Sequence, residues 1–115
     1  MSRPIYERAA DSCRGLSEGV RRDRSVRTHL LFALFAVAAL AWLKPALAWS
    51  LAVAVLLVLG LVVELLNGAL EVLLDRLHPA EDPEIGAAKD LASAAAMVIN
   101  CAAVVATAGA IFSEL

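Results

Sequence analysis

Three long apolar stretches constrain the fold of this 115-residue chain more than any other feature of its sequence. They occupy residues 29–44, 46–63 and 91–112. A helix of about 20 apolar residues, rising about 1.5 Å per residue, spans the hydrocarbon core of a bilayer. The chain is also 61% hydrophobic, which is more than the core of a soluble domain requires. We therefore predict an all-α integral membrane protein with three transmembrane helices.

The first apolar stretch allows a second interpretation. It is short for a span, and with the basic residues before it and the sequence Pro45-Ala46-Leu47-Ala48 after it, it resembles a signal peptide with a cleavage site. The basic region is much longer than that of a signal peptide, however, and the next apolar stretch begins at the supposed cleavage point. We therefore expect a retained first span, extended by flanking residues such as Arg27 that reach the interface.

The segment before this span, residues 1–28, predicts an amphipathic helix over 2–22. Ser2 can cap the helix, and Pro4 is tolerated in its first turn. At about 100° per residue, one face is charged and the other is apolar. The apolar face carries Ile5, Ala9, Cys13, Leu16 and Val20. We expect an arginine-rich helix of this kind, which leads directly into a span, to lie on the membrane surface.

The basic residues are distributed unevenly along the chain, although the net charge of −2 is uninformative. Seven of the ten precede the first span, Lys44 lies between the first and second spans, and Arg76 and Lys89 lie between the second and third. Positively charged segments tend to stay in the cytoplasm. We therefore predict a cytoplasmic N-terminus and a cytoplasmic loop at 78–88, with Lys44 on the outer side.

Polar residues interrupt the apolar pattern along one face of the second predicted helix, which we expect to continue beyond the span to residue 77. Their spacing places four side chains within about 80° of one another. They are Glu64, Asn67, Glu71 and Asp75. Ionised carboxylates are costly to bury near a bilayer and usually face a cavity, a partner charge or a cation, so the pattern indicates a site. The alternative is that the span ends at Val63 and the carboxylates lie on a water-exposed helix end.

The third helix follows a short loop. Pro79 cannot continue the second helix, and Asp82 followed by Pro83 is typical of a cap and first position of the next one. The third span is rich in small residues, which suits close packing of helices in lipid. Within it, we expect Asn100 to form a hydrogen bond to another helix.

The polar residues near the predicted cytoplasmic surface are suited to phosphate chemistry. The chain lacks the glycine-rich phosphate loop, the G-x-S-x-G elbow and the H-E-x-x-H zinc motif. Mg²⁺, in contrast, binds one or two carboxylates together with phosphates and water. Lys89 can neutralise phosphate charge, and a deeper carboxylate such as Glu64 can accept a proton from a hydroxyl. These are the minimum parts of a phosphoryl transferase.

Two neighbouring motifs carry a resemblance to a known family. The first is Glu64-Leu-Leu-Asn67, continued by Glu71 and Asp75-Arg76, and the second is Ala88-Lys89-Asp90, continued by Ser93-Ala94-Ala95. In a three-span chain of this length, they resemble the prokaryotic diacylglycerol kinases, with the same spacing between the motifs. Ser12 and Gly15-Leu16 also resemble the first helix of that family, so the resemblance covers nearly the whole chain.

The resemblance implies a homotrimeric helical bundle in the bacterial inner membrane, with active sites between subunits. It implies transfer of the γ-phosphate of ATP to a lipid hydroxyl, with ATP and a membrane lipid as partners, Mg²⁺ as cofactor and no nucleic acid. The roles that it assigns are a catalytic base at Glu64, Mg²⁺ ligands at Asp23 and Glu71, ATP contacts at Asn67, Asp75, Lys89 and Asp90, and lipid contacts at Glu64 and Ser93.

The chain departs from the best-known members of that family at several positions. Asp23 stands where they carry glutamate, so it is either a metal ligand or a cap of the next helix. His29, in the sequence Arg27-Thr28-His29, stands where they carry another glutamate and is similar to the undecaprenol-kinase branch; a lone histidine there can also be an interfacial anchor. Asp11 and Ala80 replace an aromatic and an acidic residue.

Three functions therefore remain open at this point. The acceptor is diacylglycerol, which would give phosphatidic acid, or it is undecaprenol, or the protein is a catalytically silent membrane subunit with the same fold. The presence of Glu64, Glu71, Lys89 and Asp90 argues against the silent subunit. Only His29 bears on the choice between the two lipids.

Overall fold

A computed structural model describes residues 3–115, which form four α-helices and, over that range, no strand. They are α1 (Ile5–Arg22), α2 (Arg24–Leu43), α3 (Leu47–Leu77) and α4 (Pro83–Phe112). The last three are each long and apolar enough to cross a membrane. The prediction of an all-helical, multi-pass membrane protein is confirmed. The predicted cap at Ser2 lies outside the described residues.

Capping side chains explain where the spanning helices begin and end. Asp23 precedes α2 and accepts a hydrogen bond from the Ser25 backbone N–H at 2.9 Å. Asp82 does the same for α4, accepting from the Glu84 N–H at 2.8 Å, and Pro83 occupies the first helical position as predicted. Lys44 ends α2 in the left-handed region, with φ of 48°, so the chain reverses within three residues before α3 starts.

Helix α1 begins at Ile5 rather than at residue 2, because Pro4 has an extended backbone and acts as the residue before the first turn. None of its side chains is buried by the rest of the chain. Its C-terminus is held by Arg27 of α2, whose Nη1 donates to the carbonyl oxygens of Val20 and Arg21, both at 3.0 Å. Arg27 thus joins two helices, and the expectation that it reaches the interface stays a prediction.

Small side chains allow α2, α3 and α4 to pack closely. The buried apolar cluster consists of Ala36, Val53, Leu57, Ala103 and Ala110. Gly109 of α4 faces the indole of Trp49 in α3, and a Cβ at this glycine would lie 2.5 Å from the ring. Most large apolar side chains of the three helices point outward, as expected for helices surrounded by lipid.

Candidate active site

Glu64 is buried between the spanning helices. It lies in the middle of α3, its side chain is 4% exposed, and its Oε1 accepts a hydrogen bond from Asn100 Nδ2 of α4 at 2.9 Å. The predicted interhelical hydrogen bond of Asn100 is confirmed, and its partner is the deepest of the four polar residues on α3. A buried carboxylate held by one neutral donor keeps its second oxygen for another partner.

A cleft of about 460 Å³ opens beside Glu64. Residues of α2 form most of its lining, and α4 contributes two side chains. The lining consists of Arg24, Ser25, Thr28, His29, Phe32, Glu64, Asn100 and Val104. The cleft therefore combines one carboxylate, hydroxyl and amide groups with apolar walls, which is the composition that a molecule with a polar head and an apolar body requires.

His29 is part of this cleft and is only 5% exposed. Its Nε2 lies 2.8 Å from the carbonyl oxygen of Leu57, and because a carbonyl only accepts, Nε2 carries the proton. Gly60 makes room for the ring, since a Cβ there would lie 2.5 Å from His29 Cε1. An interfacial anchor would be exposed, so the buried position argues against that interpretation of His29.

A second cleft, of about 590 Å³, lies where α3 ends and α4 begins. It is lined by the connecting residues 78–83 together with Asp75, Ile85, Gly86 and Lys89. Lys89 Nζ donates to Asp75 Oδ1 and forms an ion pair with it. Lys89 precedes the apolar part of α4, and its hydrogen bond to Asp75, with a further contribution from the Glu71 carboxylate, raises its pKa above the ordinary 10.5.

Asp23, which lies between α1 and α2, places its carboxylate close to α3. One of its oxygens caps α2, and the other, Oδ2, lies 2.7 Å from the point that a Cβ on Gly68 would occupy. Gly68 lies on the polar face of α3, between Glu64 and Glu71, and Glu71 follows one turn later. The structure thus supports the capping role of Asp23 and leaves its second oxygen directed at the polar face.

Comparison with known families shows which family the sequence belongs to. The sequence model of the prokaryotic diacylglycerol kinases matches residues 10–112, which is most of the chain. The chain belongs to this family. It is therefore a lipid kinase of the membrane. A search of curated proteins found no match to the sequence.

The two residues of the kinase that were predicted to hold Mg²⁺, Asp23 and Glu71, are carboxylates, the type of ligand that this cation takes from proteins. Over residues 3–115 no group of three or more His, Cys, Asp or Glu side chains could hold a metal ion. Mg²⁺ does not need such a cage, because it binds one or two carboxylates and takes phosphate and water oxygens for the rest. Asp23 Oδ2 lies against Gly68, and Glu71 is an exposed carboxylate one turn further along the same face of α3.

Three other predicted residues of the kinase differ in their surroundings. Asn67 is half-buried, and its Oδ1 is buried with no hydrogen-bond partner among the described residues. Asp90 and Ser93 are exposed on α4 and line neither of the two clefts. Asn67 therefore has an acceptor to offer to a bound molecule, whereas Asp90 and Ser93 face away from the cavities that this chain forms.

Sequence reasoning missed Gly60, and it predicted the interhelical hydrogen bond of Asn100 without naming the partner. Gly60 carries no chemistry, but its missing side chain admits His29 and Asn100 to the same spot on α3. The available signal was its position four residues before Glu64, which places both on one helix face. The pairing of Asn100 with Glu64 depends on how α3 and α4 are aligned, which no local pattern reveals.

Proposed function

We propose that the protein transfers the γ-phosphate of Mg-ATP to the hydroxyl of diacylglycerol, giving phosphatidic acid and ADP. The observation that carries this proposal is the buried carboxylate of Glu64, which lines a cleft with both polar and apolar walls. Asn100 donates to its Oε1, and its Oε2 does not bind Asn100. A buried acceptor of protons beside an apolar cavity suits a lipid alcohol, whose acyl chains stay in the hydrocarbon while its hydroxyl reaches the carboxylate.

In the proposed reaction Glu64 acts as the general base. The hydroxyl oxygen of the lipid forms a bond to the γ-phosphorus, the bond between that phosphorus and the β,γ-bridging oxygen breaks, and ADP leaves with the electron pair. The hydroxyl proton passes to Glu64. General-base assistance of this kind contributes on the order of 10²- to 10⁴-fold to a rate.

The nucleotide is proposed to bind at the water-facing ends of α3 and α4. Lys89 supplies the positive charge for its phosphates, and Asp75 holds the lysine in place through their ion pair. Asn67 and Asp90 complete the proposed ATP contacts, and Ser93 is proposed to contact the lipid. Glu64 and Asp75 are eleven residues apart on α3, about 16 Å, so the nucleotide is proposed to extend along the polar face, with its γ-phosphate directed toward Glu64.

Asp23 and Glu71 are the proposed ligands of Mg²⁺. The cation would neutralise phosphate charge and draw electron density from the transferred group. Asp23 reaches the polar face of α3 because Gly68 has no side chain, and its other oxygen is fixed by the Ser25 N–H. The chain therefore presents one ligand from α2 and one from α3.

We propose a homotrimer in the bacterial inner membrane, with a cytoplasmic N-terminus and active sites between subunits. Two features support an assembly that adds side chains to the site. Helix α1 buries none of its residues against its own chain, and Asp90 and Ser93 line neither cleft of this chain. A neighbouring subunit would cover these positions. The distribution of the basic residues supports the orientation.

Undecaprenol is the second candidate acceptor. The observation that favours it is the position of His29, which is the residue similar to the undecaprenol-kinase branch and which lines the cleft beside Glu64. A side chain at this place contacts the part of the lipid that carries the hydroxyl, so it can distinguish a glycerol backbone from an isoprenoid alcohol.

The test is transfer of labelled γ-phosphate from Mg-ATP by the purified protein in mixed micelles that contain either diacylglycerol or undecaprenol. Glu64→Gln should lower the rate of transfer on the order of 10²- to 10⁴-fold while the protein remains folded, and Glu114→Gln, at an exposed residue near the C-terminus, should leave the rate unchanged. Faster transfer to diacylglycerol supports the proposal, and faster transfer to undecaprenol replaces it with the second candidate. Transfer to neither lipid by the folded protein would contradict both.

A further inference from the structure

We infer that Asn100 is a positioning residue of the kinase: its amide holds the Glu64 carboxylate in the orientation that accepts the lipid proton, and His29 and Gly60 hold Asn100 in place. This inference rests on the proposed role of Glu64 as the base. It assigns a function in the reaction to a residue on α4 that lies well below the motif containing Lys89 and Asp90.

The hydrogen bond determines how both side chains are oriented. A carboxylate only accepts hydrogen bonds, so the nitrogen of the Asn100 amide must face Glu64 Oε1, at 2.9 Å. The amide oxygen then points to the opposite side, where it lies 3.2 Å from the position of a Cβ on Gly60. Because Oε1 is engaged, Oε2 remains for the lipid hydroxyl in the cleft that both residues line.

Asn100 is itself confined by its neighbours. His29 Cε1 and Nε2 lie 2.5 and 3.3 Å from the same Cβ position on Gly60, so the imidazole and the amide oxygen crowd one point on α3. The ring cannot move away freely, because Nε2 donates to the carbonyl oxygen of Leu57. Side chains of α2 and α4 therefore pack against Gly60 of α3 and together hold the Glu64 carboxylate. This packing requires a glycine at position 60.

The remaining groups around the cleft do not duplicate this role. Helix α4 contributes only Asn100 and Val104 to the lining, and Val104 has no donor. From α2, the charged or titratable side chains of the lining are Arg24 and His29. Neither forms a hydrogen bond to Glu64. Asn100 is thus the only side chain of the described residues that donates to Glu64.

The first test is Asn100→Leu, which keeps the branch at Cγ, is larger, and removes the donor. The kcat should fall on the order of 10- to 100-fold, the loss expected when a hydrogen bond to a charged group is removed, and the KM for Mg-ATP should stay unchanged. Asn100→Asp provides a second variant of the same shape, and it should lose at least as much because two carboxylates then face each other. Thr107→Val is the control, since Thr107 is a polar residue buried even more deeply on α4 that donates only to the Ala103 carbonyl.

A double-mutant cycle separates positioning from a structural role. If Asn100 acts through Glu64, Asn100→Leu should cause no further loss in a Glu64→Gln background, whereas a structural defect would lower the residual rate again. Gly60→Ala should reproduce the loss of kcat, because its Cβ displaces His29 and Asn100 together.

The outcomes distinguish this inference from the proposed function. A Glu64→Gln variant with the kcat of wild type would overturn the role of Glu64 as base and the inference with it. If Glu64→Gln strongly lowers kcat while Asn100→Leu and Asn100→Asp both keep the wild-type kcat, the inference is overturned and the proposed role of Glu64 stands. A further loss from Asn100→Leu in the Glu64→Gln background would also overturn it.

Discussion

Asp23 Oδ2 lies 2.7 Å from the point at which a Cβ on Gly68 would sit, so the residue that caps α2 also rests on α3. The contact is possible because Gly68 exposes its backbone on the face that carries Glu64 and Glu71. One side chain thereby starts a transmembrane helix and points its second oxygen at the proposed metal site. Substitutions at Asp23 and Gly68 should separate these two tasks.

Asp23→Asn should raise the Mg²⁺ concentration required for activity on the order of tenfold. Asparagine caps a helix about as well as aspartate, so the free energy of unfolding should change little while one negative charge is lost from the metal site. Titration of activity with Mg²⁺ at saturating ATP measures the effect. An unchanged titration would leave Asp23 with its capping role only.

Gly68→Ala should also raise the Mg²⁺ requirement, because the new Cβ occupies the place of Asp23 Oδ2. Displacing Asp23 costs about 1 kcal/mol of capping energy, and alanine returns up to about 1 kcal/mol through its higher helix propensity. Stability should therefore stay nearly constant. Gly15→Ala on α1 is the control, because its Cβ meets nothing within 4 Å, and a shift of the Mg²⁺ titration in that variant would contradict this explanation.

Lys89→Met should raise the KM for Mg-ATP on the order of tenfold, because it removes the positive charge proposed to face the phosphates. Lys89→Arg keeps the charge and should lose less. The Asp75 carboxylate raises the pKa of Lys89 above 10.5, so the lysine keeps its charge at neutral and mildly alkaline pH. The KM for Mg-ATP should accordingly show no titration of Lys89 over that pH range, and equal KM values for wild type and Lys89→Met would remove Lys89 from the nucleotide site.

Gly109→Ala should destabilise the protein without affecting the reaction directly. Its Cβ would lie 2.5 and 2.6 Å from two ring atoms of Trp49, and overpacking of this kind costs about 1–3 kcal/mol. Unfolding in detergent, followed by circular dichroism, should show a lower midpoint. Gly86→Ala on the same helix is the comparison, because its Cβ meets nothing within 4 Å and alanine should raise the midpoint slightly. A midpoint of Gly109→Ala at or above that of wild type would mean that the indole can move aside.

The spanning helices and the polar face of α3 could be predicted because they depend on local patterns. Apolar runs of sufficient length define α2, α3 and α4, and helical spacing alone places Glu64 and Glu71 on one face. The hydrogen bond of Asn100 to another helix was also predictable, because a polar side chain inside a span needs a partner.

The identity of each partner could not be read from the sequence. Asn100 and Glu64 are 36 residues apart, and His29 and Leu57 are 28 apart, so both contacts depend on the relative height of neighbouring helices. The alignment of α4 with its neighbours follows from the packing of its small residues. Because these residues repeat along α4, they favour no single alignment on their own. The sequence therefore left two interpretations of His29 open, and its burial inside the bundle argues against the interfacial one.

The two hydrogen bonds from Arg27 to the end of α1 connect the surface helix directly to the first span. This contact places the end of α1 beside the segment of α2 in which His29 follows only two residues after Arg27. The large apolar side chains Ile5, Tyr6 and Leu16 of α1 are exposed. Through Arg27, the surface helix α1 is therefore connected to the part of α2 that lines the cleft containing Glu64.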